Sequence, residues 1–419
     1  MNLIKSSKNL FNLVLVIFFL FTLLFSFIPT FYRGNNIYLF TFFIHILLLS
    51  SFLLSTLYGN KIVLSKENSF FYGFFLIWII YNMMSFWWSK IPSVTAQYSF
   101  RYFCFFTDFF IASQLFKTKK LLTYFYYFLQ GIVIVYIGIA IWELLTWDHL
   151  PTSRLFGSKI FTPTGTFYNE NDFAEVLLFL SPFIIFSPKL FNKIKFWKLI
   201  SFIEIIIINV LFLIQGARIA IIFSAFILGF SFFKFIKSQH KFILSMVIIG
   251  GIFLTLNSFK PLKIYANYQY ETNVATLLTE QKSIYVGSIG IREQMIKNAI
   301  VMSAKSFFFG TGGGTYEENM RVYSKVKTAG IINCHNFIFE MLATNGLMIF
   351  MLFLYFLFRL FKINFLAIKK DKFDYMAWMN LFFILLFIPA SSLSSSSYKF
   401  FYFWPILGLT LFNKSNITD

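Results

Sequence analysis

Apolar residues run along this chain in long unbroken stretches separated by short polar ones. A half-buried strand would alternate, and a surface helix would repeat every three to four residues. A helix rises about 1.5 Å per residue, so roughly 20 apolar residues cross about 30 Å of hydrocarbon. Twelve stretches approach that length: Leu10–Pro29, Ile37–Leu57, Phe70–Trp88, Ala96–Phe116, Leu121–Leu145, Phe173–Ser187, Trp197–Gln215, Ala217–Ile236, Phe242–Leu256, Gly346–Phe361, Tyr375–Ala390 and Tyr398–Phe412. The sixth is short and contains Pro182, as a tilted or re-entrant segment would. The pattern predicts an all-α polytopic membrane protein of about 12 transmembrane helices, with one large loop between helices 9 and 10. In chain order this divides the protein into residues 1–258 with nine spans, residues 259–335 as the loop, and residues 336–419 with the last three spans. Within the loop, Ile291, Met295, Ala299 and Met302 recur at helical spacing, which predicts an amphipathic helix over 291–304.

Charge sets the orientation. With the N-terminus cytoplasmic, the inside segments hold twenty Lys and Arg, against five in the short outside loops: Arg33, Lys90, Arg154, Lys159 and Lys399. The positive-inside bias therefore puts both termini in the cytoplasm and the long loop outside. Lys5 and Lys8 precede an apolar run of spanning length with no small-residue cleavage site after it, so the first helix reads as uncleaved.

Composition agrees with lipid as the solvent. Of 419 residues 58% are hydrophobic and only 13% charged, and the mean hydropathy is +0.71; soluble domains carry about 25% charged residues. A net charge of +19 would point to nucleic acid in a soluble chain. Here it belongs to the loops, and no nucleic-acid partner is expected. Phe alone supplies 64 residues, which lipid accepts without any special chemistry. The two cysteines, Cys104 and Cys334, are too few for a disulfide framework and are expected as free thiols.

Polar residues inside or beside the spans carry the candidate chemistry, because charge in a bilayer costs about 2.5–3.5 kcal/mol at a helix centre. Arg101 and Asp108 share the fourth span seven residues apart, as a structural ion pair or interior hydrogen-bond knot, or as a substrate contact. Arg218 opens the eighth span after a two-residue hairpin. Gly165–Ala174 is amide-rich and enters the sixth span; Asn169 and Asn171 offer donors and acceptors to hydroxyl-rich ligands, and helix capping by Asn171 or Asp172 is the alternative. In the loop, Arg292 opens the amphipathic helix, and Gly310-Thr311-Gly312-Gly313-Gly314 is either a flexible linker or a backbone cradle for an anion. Cys334-His335-Asn336 closes the loop, whereas His45, His149 and His240 stand alone.

These motifs, in this order, resemble the O-antigen ligase and Wzy-type polymerase family of bacterial membrane glycosyltransferases. Trp88-Ser89 with Pro92 and Arg101, the G-x-F-x-N-x-N-x-x-A element at Gly165–Ala174, Ala217-Arg218, Arg292, Gly310–Gly314, and His335-Asn336 followed after nine residues by Gly346 carry the likeness. It implies a GT-C-like fold in the bacterial inner membrane with a periplasmic loop. It also implies transfer of an undecaprenyl-pyrophosphate-linked polysaccharide to lipid A–core, or, for a polymerase, the joining of lipid-linked repeats. No metal or other cofactor would be needed. His335 would take the proton of the attacking hydroxyl, Arg218 and Arg292 would neutralise the departing pyrophosphate, and Arg101, Asn169, Asn171, Gly312 and Asn336 would hold substrate. A multi-span transporter or flippase is the reading from another class, and a protein acceptor ranks below both polysaccharide readings.

Overall fold

The computed structural model describes residues 2–27, 37–57, 62, 66–190, 196–235, 288–323, 331–393 and 401–412. The expected ninth span at 242–256, His240 and the first part of the loop lie outside the described residues. Among the described residues there are helices and no strand. They are α1 (Asn2–Phe27), α2 (Ile37–Leu57), α3 (Lys66–Met84), α4 (Pro92–Leu115), α5 (Lys119–Thr146), α6 (Glu170–Leu190), α7 (Trp197–Gln215), α8 (Arg218–Phe235), α9 (Ser288–Lys305), α10 (Tyr316–Tyr323), α11 (Phe337–Lys370), α12 (Tyr375–Ala390) and α13 (Phe403–Leu409).

Five of these helical stretches are long and apolar enough to cross a membrane: Asn68–Trp87, Lys119–Thr146, Glu170–Leu190, Trp197–Gln215 and Phe337–Lys370. Shorter apolar helices occupy Asn12–Leu24, Thr41–Thr56, Arg218–Phe230 and Tyr375–Ala390. The chain is a multi-pass helical membrane protein. The sixth span is not short: α6 has 21 residues despite Pro182 and Pro188.

The chain divides into two compact units, Met1–Ile132 with Ile291–Asp419, and Val133–Gly290, a division that cuts across chain order. In the first unit α4 is the hub, packed against α2, α3 and α13. Its second half is buried from Thr107 to Leu115, including Asp108, Ser113 and Gln114. Neighbouring helices rather than lipid surround it, which is why this helix tolerates polar side chains. Stacked aromatics fill the space around it: Trp78 on Tyr102 at 4.3 Å between centroids, and Phe105 on Trp404 at 4.7 Å. In the second unit α6 packs on α7 and α8.

The tenth span differs most from expectation. α11 has 34 residues, about 50 Å at 1.5 Å each, and so exceeds the hydrocarbon thickness. It is broken at Gly346, where φ is 79° and ψ 174°. The half-helix before the break, from Phe337, packs with α9 and α10; the apolar stretch after it matches the expected start at Gly346.

The amphipathic helix of the loop is longer than expected, Ser288–Lys305, and its stripe is buried at Met295, Ala299 and Met302. With Tyr316, Met320, Cys334 and Ala343 the last two form a small core that joins α9, α10 and the start of α11.

Candidate functional site

The first unit contains five of the eight candidate residues: Arg101 on α4, Gly312 at the break in α11, and His335, Asn336 and Arg292 near the start of α11. Asn336 caps this helix: its side-chain oxygen accepts from the Ile338 and Phe339 amides at 3.1 and 3.2 Å. His335, one residue earlier, is half-buried and left-handed at φ 51°, which is uncommon for a residue with a Cβ. Cys334 is buried on its other side, and burial, followed by the charge of Glu340, pushes this thiol well above its usual range. Buried Cys334 and the cap at Asn336 thus clamp the His335 backbone in a strained turn from both sides.

Arg292 on α9 donates to the Ser392 carbonyl at 3.0 Å. Ser391, next to it, accepts from the Phe337 amide at 3.4 Å. The turn after α12 therefore holds both the guanidinium and the start of α11, and so brings Arg292 and the His335-Asn336 turn to one place.

The glycine turn is neither a linker nor an open cradle. Its amides are directed into protein: Gly310 to Ser306 Oγ at 3.1 Å, Thr311 to the Ala343 carbonyl at 3.0 Å, Gly312 to the Thr344 carbonyl at 2.9 Å, and Gly313 to Asn82 Oδ1 at 2.8 Å. Gly312, at φ 101°, lies so close to Thr95 and Ser89 that a Cβ would fall 2.6 and 2.7 Å from their hydroxyls. Its amide is engaged by a helix carbonyl, so an anion would not find this donor. The break at Gly346 receives the turn. A Cβ there would meet the Phe309 carbonyl at 2.5 Å, and Leu347 donates back to Phe308 at 2.8 Å.

Arg101 is buried, with its guanidinium 4.5 Å above the Tyr98 ring, and Tyr98 borders Gly314. Asp108 bonds His45 at 3.2 Å, and His45 also reaches the Thr41 carbonyl at 2.7 Å. The histidine read as standing alone, on α2, is thus the partner of the buried aspartate on α4. Sequence distance hid the pair, for 63 residues separate them.

The second unit holds Asn169, Asn171 and Arg218. Asn169 is the cap of α6: Oδ1 accepts from the Asp172 amide at 2.9 Å, and Nδ2 donates to the Asp172 carboxylate at 2.9 Å. Capping thus falls on Asn169 rather than on Asn171 or Asp172, and the Asn169 amide is occupied at both ends. Asn171, half-buried in the first turn, takes no part in the cap. Arg218 is half-buried at the start of α8, after Gly216 (φ 64°) ends α7 in a left-handed cap. Gln215 in that hairpin donates to the Pro163 carbonyl at 3.1 Å, which ties the Arg218 turn to the loop that leads to Asn169.

That loop is held by a group the sequence reading passed over. The Glu143 carboxylate, buried at the end of α5, accepts from Thr164 N and Oγ1 at 2.9 Å each, from Gly165 N at 2.7 Å and from His149 Nδ1 at 3.0 Å. His149 Nε2 meets the Ile160 carbonyl at 3.0 Å. One carboxylate thus fixes both halves of the 148–165 segment. The nearest sequence signal was a histidine six residues after a glutamate at a span end. Asn82 and Glu340, both buried, were likewise missed; Asn82 Nδ2 binds the Thr95 carbonyl and Ser99 Oγ while Oδ1 holds the glycine turn.

Comparison with known proteins adds to this geometry. The O-Antigen ligase family model matches residues 202–354, a stretch that contains Arg218, Arg292, the glycine turn, His335, Asn336 and Gly346. The teichuronic acid biosynthesis protein TuaE of Bacillus subtilis (strain 168) is 26% identical over 284 residues, which is 66% of this chain and 57% of that relative. The chain thus matches little more than half the length of this curated relative. The matched stretch and the relative thus make this chain similar to the O-antigen ligase family over residues 202–354, the stretch that holds Arg218, Arg292, the glycine turn and His335-Asn336.

Proposed function

We propose that this protein is an extracytoplasmic glycosyltransferase of cell-surface polysaccharide biosynthesis that uses a lipid-pyrophosphate-linked glycan, undecaprenyl pyrophosphate in bacteria, as donor. The observation that carries the reading is that Arg292 and the strained His335 turn, both within the matched segment, are tied to the same Ser391-Ser392 turn. An acceptor hydroxyl would attack the anomeric carbon of the donor while His335 accepts its proton. The new bond joins the acceptor oxygen to that carbon; the bond from carbon to phosphate oxygen breaks, and the lipid pyrophosphate leaves as an anion. Guanidinium groups suit this leaving group, because they stay charged and bind phosphate oxygens in pairs. Arg292 takes this role, with Arg101 supporting it in the same unit; Arg218 is the guanidinium that the second unit offers for the same chemistry. Asn336 in the first unit and Asn171 in the second are the candidate sugar contacts, each within its own unit, while Gly312 and Asn169 act through shape and capping.

Two acceptors fit the chemistry: lipid A–core, as for a ligase, and another lipid-linked repeat, as for a polymerase. The relative's name, a teichuronic acid biosynthesis protein, favours a growing polysaccharide chain over lipid A–core. Deleting the gene separates them, for a polymerase defect accumulates single lipid-linked repeats and a ligase defect accumulates long lipid-linked chains. The chemistry itself is tested on purified protein with a lipid-linked donor. His335→Ala and Arg292→Ala are expected to lose at least about 100-fold in transfer while remaining folded, as a cooperative melting transition would show. Full activity in either variant removes that residue from the scheme, and transport without transfer by the purified wild type would favour a flippase.

A further inference from the structure

Three consecutive phenylalanines follow α9, and all face outward: Phe307 is 83% exposed, Phe309 61%, and Phe308 about half. Phe307 and Phe308 hold left-handed backbone, φ 50° and 63°, and their amides are bonded to the end of α9 through Ala304 and Ser303 carbonyls. The turn is therefore built, and what it builds is an apolar projection that water would disfavour. It does not stand alone. The Phe309 carbonyl accepts from Tyr81 of α3 at 2.9 Å, and the Trp88 indole donates to Gly310 at 3.0 Å. Trp87, beside Trp88, is 80% exposed. The triplet thus sits where α3 ends and where α11 resumes after Gly346. Both helices continue away from it with exposed apolar side chains, Ile80 and Met83 on one and Met348 and Met351 on the other. Exposed Lys90 and Lys305 flank the aromatics.

We infer that Phe307–Phe309 and Trp87 insert into the headgroup boundary of the bilayer and anchor the external segment to the membrane surface. The occupant is lipid because the patch is continuous with the faces of two spanning helices. Its aromatic-plus-lysine make-up also matches the membrane–water interface, where rings lie at headgroup depth and ammonium groups reach phosphates. The anchor sets the height of the glycine turn and, through α9, of Arg292. Assigning it to the outer leaflet rests on the proposed topology; insertion itself does not.

The test places an environment-sensitive fluorophore on Phe307→Cys in nanodiscs of anionic lipid with bromine on the upper acyl chain. Native Cys104 and Cys334 are buried and stay unlabelled. Quenching is expected to exceed that of a control at the exposed Arg321 of α10, Arg321→Cys, by at least twofold, with protection from aqueous iodide. Trp87→Cys serves as a second reporter if the first variant does not fold. Quenching equal to the control, with full iodide access, overturns the inference. So does quenching that appears only after a polyprenyl phosphate is added, which would assign the patch to the donor's tail. The measurement needs neither transfer activity nor a known orientation, so it can fail while the glycosyltransferase reading stands.

Discussion

A carboxylate enclosed by four donors behaves differently from one at a surface. Glu143 takes two backbone amides, a hydroxyl and an imidazole, and each would be left buried without an acceptor if the side chain were removed. Breaking one partner of such a buried group costs about 3–5 kcal/mol. Glu143→Ala is expected to lower the melting temperature in detergent strongly and Glu143→Gln by less; equal melting of both with wild type would contradict this role. His335 makes the opposite case, strain retained at a candidate reacting group. Glycine accepts the left-handed region that alanine resists by about 1–2 kcal/mol. His335→Gly is expected to be inactive yet more stable than His335→Ala, as chemical denaturation would show. Residue types were legible in the sequence here, but their partners were not. Asn169 was read as a ligand and serves as a cap; Gly312 was read as a donor to substrate and donates to Thr344. Both readings needed to know where each group's hydrogen bonds go, and that depends on what lies opposite.

Among elements, the joint between the glycine turn and the break in α11 carries most of the architecture. Two stretches interlock backbone to backbone: Gly346 leaves no room for a Cβ beneath Phe308 and Phe309, and the turn in turn fills the break. Gly346→Ala is expected to cost about 2–4 kcal/mol from overpacking and an unfavourable backbone, and to make the segment of α9, α10 and the glycine turn more protease-sensitive. Gly138→Ala in α5, where a Cβ meets nothing within 4 Å, is the control. It is expected to be neutral or stabilising by up to about 1 kcal/mol, since alanine is the better helix former. Sequence spacing anticipated α9 and its buried stripe, because helical periodicity is local. It did not anticipate that α11 begins at Phe337 and breaks at Gly346. A glycine within an apolar run looks the same whether it starts a span or kinks one, and only the carbonyls arriving from Phe308 and Phe309 distinguish the two.

For the whole molecule, orientation is the property on which the proposed chemistry depends. An alkaline phosphatase fusion after Lys305 is expected to be active and one after Lys370 inactive, in line with the basic end of α11 facing the cytoplasm. The reverse pattern would put the His335 turn on the nucleotide side and end the lipid-pyrophosphate scheme. From the amino-acid order alone came the helical, membrane-embedded character of the chain, the positions of five membrane-length helices, the amphipathic α9 and the likeness to a ligase family. All of these follow from hydropathy, local periodicity and motif order, which need no partner from elsewhere in the chain. The packed structure alone decided that Asn82 holds Gly313 across 231 positions, that His45 belongs to Asp108, and that Arg292 shares a turn with the start of α11. Such contacts join segments by the way helices pack in three dimensions, and nothing in the local pattern of either segment records which one it will meet.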